Sequence, residues 1–99
     1  MRYRLQITGG ARRDIDRLVN FQAQRDPEIA ERAYTAITDA FDLLREFPFS
    51  CRKMTDDNPF LRELVIEFGT SGYVALFLIQ AERMVMVIAI RHQLEEDYQ

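Results

Sequence analysis

Cysteine and histidine each occur only once in this sequence, and this scarcity limits the chemistry of the chain. Because a disulfide joins two cysteines, Cys51 forms none within the chain. Metal sites usually combine several histidine and cysteine ligands, so the composition predicts no metal centre. Gly9 and Gly10 follow a predicted strand but lack the rest of a phosphate-binding glycine motif. We therefore expect neither a metal nor a cofactor.

Long apolar runs are also missing. Charged residues or glycine interrupt each hydrophobic stretch before it reaches the roughly 18 to 20 residues that a membrane helix needs. The first residues do not combine a basic start, an apolar run and a cleavage site, as a secretion signal does. We therefore expect a cytoplasmic protein with no role in a membrane.

Neither sign of charge dominates, since 13 basic residues face 16 acidic ones and the net charge is -3. The signs are unevenly spread: residues 1–25 hold six arginines and two aspartates, whereas residues 26–50 hold six acids and two arginines. The two segments should neutralise each other. Proteins that hold nucleic acid unaided usually concentrate lysine and arginine, so direct binding to nucleic acid is not expected.

The amino-terminal half contains the signals of one strand and two helices. Apolar and polar residues alternate over residues 2–8, which predicts a strand. Apolar residues at helical spacing then predict an amphipathic helix over residues 11–24. Asp26 followed by Pro27 is a helix-start signal, and the second helix should continue until Phe47. The short link between the helices favours an antiparallel helical hairpin.

The carboxyl-terminal half predicts strands. Residues 49–60 lack periodicity and carry turn formers, so they are interpreted as a surface loop. Three consecutive antiparallel strands follow, at residues 61–68, 73–80 and 84–90. The 99 residues fit one α+β domain, in which the N-terminal strand and the three-stranded meander form one sheet with the helical hairpin on one face.

The last two predicted strands are apolar on both faces. A helical hairpin covers only one face of a sheet, so the other face should expose an apolar patch, which in many proteins marks a partner site. The alternative is that both strands are simply buried at the centre of the sheet. Met84 and Met86 fit either an adaptable docking surface or ordinary core filler.

Two residues suggest enzymatic chemistry, and both are incomplete as active sites. His92 directly follows the last predicted strand and has the chemistry of a general acid or base. Cys51 lies in the predicted loop with no second catalytic signal beside it, so a nucleophilic role is not expected. The residues alone therefore predict no catalytic set.

Roughly residues 3 to 92 resemble ParE-type toxins of the RelE/ParE toxin–antitoxin superfamily. The resemblance rests on several local matches in family order, although the proline that commonly follows the first strand in this family is absent here. The matching segments are Thr8 with Ala11 and Asp14, Leu43-Leu44-Arg45-Glu46-Phe47-Pro48, Leu61-Arg62-Glu63-Leu64, Tyr73-Val74, and Ile88-Ala89-Ile90-Arg91-His92.

This superfamily implies one of two activities. ParE toxins poison DNA gyrase by protein binding, whereas RelE toxins cleave messenger RNA on the ribosome. RelE-like nucleases typically carry an arginine at the opening of the third sheet strand, where this chain has Tyr73. Arg62, Arg91, His92 and Tyr98 supply fragments of a nuclease site, but the acidic residues near the carboxyl terminus disfavour RNA. The ParE-like activity is therefore preferred, and the RelE-like nuclease is the alternative.

The resemblance implies a cognate antitoxin, gyrase as the target and a possible higher-order toxin–antitoxin oligomer. The first helix offers arginines to an acidic antitoxin, although these side chains are equally compatible with a solvated helix face. The tail beyond residue 90 should be mobile alone and order on the target, unless it is only a frayed end. The predicted antitoxin contacts are Arg12, Arg13, Arg17, Tyr73, Phe77, Met84 and Met86, and the predicted target contacts are Arg91, His92 and Tyr98.

Overall fold

A computed structural model describes residues 2–98 as a five-stranded sheet with two helices packed on one face. The α+β fold predicted from the sequence is confirmed. The strands follow one another across the sheet in the order β1-β5-β4-β3-β2. In chain order the elements are β1 (Arg4–Ile7), α1 (Gly9–Ala23), α2 (Pro27–Glu46), a short 3-10 turn (Pro48–Ser50), β2 (Arg52–Lys53), β3 (Leu61–Phe68), β4 (Ser71–Gln80) and β5 (Met84–His92).

Both helices begin at side-chain caps that the sequence supplies. The Thr8 hydroxyl accepts a hydrogen bond from the backbone N–H of Ala11, so α1 begins two residues earlier than predicted and includes the two glycines. The Asp26 carboxylate accepts from the N–H of Glu28 at 2.9 Å, with Pro27 in the first turn, as predicted. Neither helix within residues 2–98 is long and apolar enough to cross a membrane.

The sheet contains the predicted meander and two features that the sequence left out. Strands β3, β4 and β5 are antiparallel neighbours, and β1 lies parallel to β5 at the sheet edge. The loop prediction for residues 49–60 is wrong at β2, because residues 52–53 pair with the edge of β3. The prediction that the last strand ends at residue 90 is also wrong, since Arg91 and His92 pair with Val74 and Tyr73.

Two side-chain hydrogen bonds connect a β-bulge in β5 to the start of α1. Pairing between β4 and β5 shifts by one residue at Ile88, which disrupts the ladder there. The Thr8 hydroxyl donates to the carbonyl of Ile88 at 3.0 Å. The buried Asp14 carboxylate accepts from the N–H of Ile90 at 2.9 Å. These side chains satisfy backbone groups that the bulge leaves without strand partners, and they hold α1 against β5.

The core lies between the helices and one face of β3, β4 and β5. Alternate residues of β4 point into it, and Tyr73 and Phe77 are only 1% and 0% exposed. Their predicted place on an exposed apolar surface is therefore wrong. Because both faces of β4 are apolar, the alternation of residues did not reveal which face meets the helices. The core residues are Ala11, Ile15, Leu18, Ala33, Ile37, Phe41, Leu44, Leu64, Ile66, Tyr73, Ala75, Phe77, Ile79, Val85, Val87 and Ile90.

Candidate functional site

The sheet surface turned away from the helices, here called the outer face, carries an apolar stripe. Leu76 and Leu78 of β4 lie on it beside Met84 and Met86 of β5, and all four side chains are partly exposed. The two methionines, predicted as antitoxin contacts, therefore lie where a partner protein can reach them. On the neighbouring strand β1, polar residues stand in register with both methionines.

Residues 93–98, the C-terminal segment, fold back onto the sheet. The Arg91 guanidinium donates to the backbone oxygens of Gln93 and Glu95, at 3.3 and 2.8 Å, and lies 5.2 Å from the centre of the Tyr98 ring. The Tyr98 side chain reaches Glu63 on β3. Val74, which lies on β4 between β3 and β5, is only 2% exposed. The segment was expected to be mobile, but it is held by specific contacts that cover part of the outer face.

Glu63 is the anchor of this segment. Its side chain is 12% exposed and accepts a hydrogen bond from the Tyr98 hydroxyl at 2.6 Å. The same carboxylate forms an ion pair with Arg52 of β2 at 3.1 Å. Burial and the neighbouring Glu63 carboxylate raise the pKa of Tyr98 far above its ordinary value. Tyr98 therefore keeps its proton at neutral pH and donates it in the hydrogen bond to the Glu63 carboxylate.

His92 holds the beginning of the C-terminal segment. Its Nδ1 atom accepts a hydrogen bond from the N–H of Leu94 at 3.1 Å, so Nδ1 carries no proton. Nε2 then carries the proton and donates to the Ser71 hydroxyl at 3.1 Å. Both ring nitrogens are occupied, which leaves neither free to exchange a proton with a substrate in this arrangement.

The arginines of α1 divide into two groups. Arg17 forms an ion pair with Glu95 of the C-terminal segment, with 3.3 Å between nitrogen and oxygen. Arg12 and Arg13 lie exposed on the same helix. Arg17 therefore positions the chain's own C-terminal segment, while Arg12 and Arg13 can meet acidic groups of another protein.

Cys51 is partly buried and lies near the Arg62 guanidinium. Burial raises the pKa of its thiol, and the nearby Arg62 guanidinium only partly offsets this effect. Arg62 also donates to the backbone oxygens of Phe49, Cys51 and Pro59, so it organises the segment before β3. Within residues 2–98, no group of three or more histidine, cysteine, aspartate or glutamate side chains could hold a metal ion.

An exposed aromatic cluster near β2 was missed by the sequence analysis. Phe49 and Phe60 are 48% and 49% exposed and meet edge to face, with 6.2 Å between ring centres. Phe47 is also exposed, at 62%. The recurrence of phenylalanine in a segment without periodicity was the available signal, but it was interpreted only as a loop.

Comparison with known proteins identifies the family. Residues 5–97 match the model of the ParE toxin of the type II toxin-antitoxin system parDE. The chain belongs to the ParE toxin family. Two proteins of Caulobacter vibrioides are relatives of this ParE toxin. Toxin RelE1 is 33% identical over 96 residues, covering 97% of this chain and 99% of that protein. Toxin RelE3 is 32% identical over 85 residues, covering 86% and 88%.

Solved structures share the fold of this ParE toxin. The chromosomal ParDE system from P. aeruginosa matches with a TM-score of 0.74 at 20% identity, over 91% of this chain and 95% of that one. The RelBE2 toxin-antitoxin complex from Mycobacterium tuberculosis matches with a TM-score of 0.62 at 22% identity, over 94% and 100%. The predicted resemblance is confirmed, and the protein is the toxin component of a type II toxin–antitoxin system.

Proposed function

We propose that this ParE toxin acts by binding, that it holds DNA gyrase in its cleaved-DNA state, and that a cognate antitoxin neutralises it. One observation carries the choice of binding over catalysis. The two side chains best suited to acid–base chemistry, His92 and Tyr98, are both engaged in internal contacts that position the C-terminal segment. They act as anchors for a recognition surface and not as proton carriers.

The C-terminal segment is the proposed target contact. The three residues predicted to touch the target, Arg91, His92 and Tyr98, hold this segment on the sheet through hydrogen bonds. The segment presents Leu94, whose side chain is 80% exposed, beside acidic residues. A preorganised segment loses less conformational entropy on binding than a mobile one, which favours a tight complex with gyrase.

The antitoxin is proposed to cover a second surface, made of the apolar stripe on the outer face and the exposed arginines of α1. Met84 and Met86 supply adaptable apolar contacts. Arg12 and Arg13 attract acidic antitoxin side chains and speed association. The solved relatives support this partner, since one is described as a toxin-antitoxin complex and the other as a ParDE system.

A supercoiling assay with purified gyrase tests the proposal. Full-length toxin should inhibit supercoiling, and a stoichiometric amount of antitoxin should restore it. A chain that ends at His92 keeps the whole of β5 and removes only the C-terminal segment and Gln99, so it should lose most of the inhibition. Equal inhibition by both forms would move the gyrase contact away from this segment. No inhibition by full-length toxin would contradict gyrase as the target.

A RelE-like nuclease is the second candidate, favoured by the two Caulobacter relatives, which are named as RelE toxins. It is also favoured by a connected polar network on the outer face, in which Glu63 contacts Arg52 and Tyr98, and Tyr98 lies beneath Arg91. Carboxylate, phenol and guanidinium groups together resemble the components needed to cleave a phosphodiester. Ribosome-dependent messenger RNA cleavage that disappears in Glu63→Gln would establish this activity instead.

A further inference from the structure

The first strand of the chain, β1, has one open edge. Arg4 and Thr8 donate their backbone N–H groups to carbonyls on the β5 side, at 2.7 and 3.0 Å. Because backbone groups alternate in direction along a strand, the N–H and carbonyl groups of Leu5 and Ile7 point away from β5. Within residues 2–98, no strand lies on that side. The backbone groups of Leu5 and Ile7 are therefore available to another chain.

Helix α2 covers only the beginning of this edge. The N–H of Tyr3 donates to the carbonyl of Arg45 at 2.7 Å, which satisfies the first backbone group on the open side. Beyond this contact, a groove of about 510 Å³ lies against the strand edge. Its lining residues are Leu5, Gln6, Ile7, Thr8, Arg12, Arg45 and Met86. An open strand edge beside a groove is the arrangement to which an extended peptide adds as a further strand.

The charged residues of this groove are both basic. Arg12 and Arg45 line it, and Arg45 is paired with Asp42 at 2.6 Å. Arg12 is exposed and has no ion-pair partner in the described part of the chain. One uncompensated positive charge therefore faces the open edge of β1, which favours a carboxylate on the incoming segment.

The opposite edge of the sheet fits such a segment less well. Strand β2 already pairs there with β3 at Arg62 and Glu63. Farther along β3, Val65 and Glu67 are exposed at the edge. The carboxylate of Glu67 would repel an acidic strand, so the charges favour the edge of β1.

We propose that an extended, acidic segment of the antitoxin adds to the open edge of β1 as an additional strand. Its backbone pairs with Leu5 and Ile7, and one of its carboxylates meets Arg12. Arg12 and Met86 line this groove and also belong to the surface proposed above for the antitoxin, so one continuous partner chain reaches both. This inference rests on the proposed antitoxin partner and specifies how that partner binds.

Amide hydrogen exchange tests the pairing residue by residue. In the free toxin, the amides of Leu5 and Ile7 should exchange faster than that of Gln6, which faces β5. In the complex with the cognate antitoxin, exchange at Leu5 and Ile7 should slow at least about tenfold, whereas Val65 at the opposite edge should be unchanged. Exchange at Leu5 and Ile7 that stays equally fast in the complex would overturn the proposal.

Methylation of the backbone nitrogen of Leu5 separates strand pairing from side-chain contacts. It removes the outward N–H and keeps the leucine side chain, and the chain can be assembled by chemical ligation at Cys51, its only cysteine. Affinity for the antitoxin should fall about tenfold in calorimetry, because one backbone hydrogen bond is lost. The same methylation at Val65 is the control and should leave the affinity unchanged. An unchanged affinity after methylation at Leu5 would exclude strand pairing there.

A charge reversal tests whether the added segment is acidic. Arg12→Glu should weaken antitoxin binding about tenfold, whereas Arg25→Glu, at an exposed arginine that does not line the groove, should have little effect. Equal affinities for the two variants would exclude an acidic segment at this edge. If the wild-type toxin binds the antitoxin without protection at Leu5 and Ile7, the strand assignment is wrong while the partner stands. If it does not bind the antitoxin, both the proposed function and the strand assignment fail.

Discussion

Replacement of Tyr98 by phenylalanine should loosen the last residues of the C-terminal segment from β3. The hydroxyl donates to the Glu63 carboxylate at 2.6 Å, and this is the contact that ties the end of the chain to β3. Hydrogen bonds to charged groups contribute about 1.5 to 3 kcal/mol to stability, and Tyr98 is only partly buried. We therefore expect the lower figure, about 1.5 kcal/mol.

This loss is measurable by thermal unfolding. A domain near 100 residues loses about 4 °C of melting temperature for each kcal/mol, so Tyr98→Phe should lower it by about 6 °C. Tyr34→Phe, at an exposed tyrosine on α2, should change it little. A melting temperature within about 1 °C of the wild type would refute the claim that this hydrogen bond holds the segment.

The same pair of residues predicts a dependence on pH. The folded protein raises the pKa of Tyr98 above the unfolded value of about 10, because burial and Glu63 oppose the phenolate. Protonated Tyr98 is thus the favoured folded form, so its contribution to stability is complete below about pH 10 and is lost as pH rises further. The stability difference between wild type and Tyr98→Phe should therefore shrink above that pH in denaturation experiments. A stability difference between the two proteins that stays constant above about pH 10 would contradict the raised pKa of Tyr98.

Three further predictions concern the framework around the site. Gly72→Ala should lower the free energy of unfolding by about 3 kcal/mol or more in chemical denaturation, because the new Cβ would lie 2.0 Å from a β3 carbonyl oxygen. Gly69→Ala is the control: the space around Gly69 is open, so the loss should be about 1 kcal/mol. Equal losses for the two variants would contradict this prediction. Asp14→Ala should lose about 1.5 to 3 kcal/mol and expose the Ile90 amide to hydrogen exchange, and unchanged protection would be inconsistent with the bond between them. Cys51 should react with iodoacetamide at pH 8 more slowly than free cysteine, and an equal rate would contradict its raised pKa.

Local signals in the sequence predicted the elements well. Asp26 and Pro27 mark the start of α2 within a few neighbouring residues, and the side-chain cap lies where they indicate. The turns between β3, β4 and β5 are short, so the meander also follows from local information. By contrast, the parallel placement of β1 beside β5 joins residues about eighty positions apart, and no local pattern specifies it.

The candidate site was harder to predict for the same reason. Tyr98 and Glu63 are 35 positions apart, and their contact depends on how the chain end crosses the sheet. Tyr73 and Phe77 were assigned to a surface because both faces of β4 are apolar, and only the packing of the helices decides which face is buried. Met84 and Met86 lie on the face away from the helices, and their contact with a partner stays a prediction.

The most direct test of the account is a gyrase cleavage assay with plasmid DNA, ATP and increasing toxin, stopped with detergent and protease. The account predicts linear DNA that increases with toxin concentration and disappears when antitoxin is mixed with the toxin beforehand. Absence of linear DNA at saturating toxin, together with ribosome-dependent cleavage of messenger RNA by the same preparation, would contradict a gyrase poison that acts by binding.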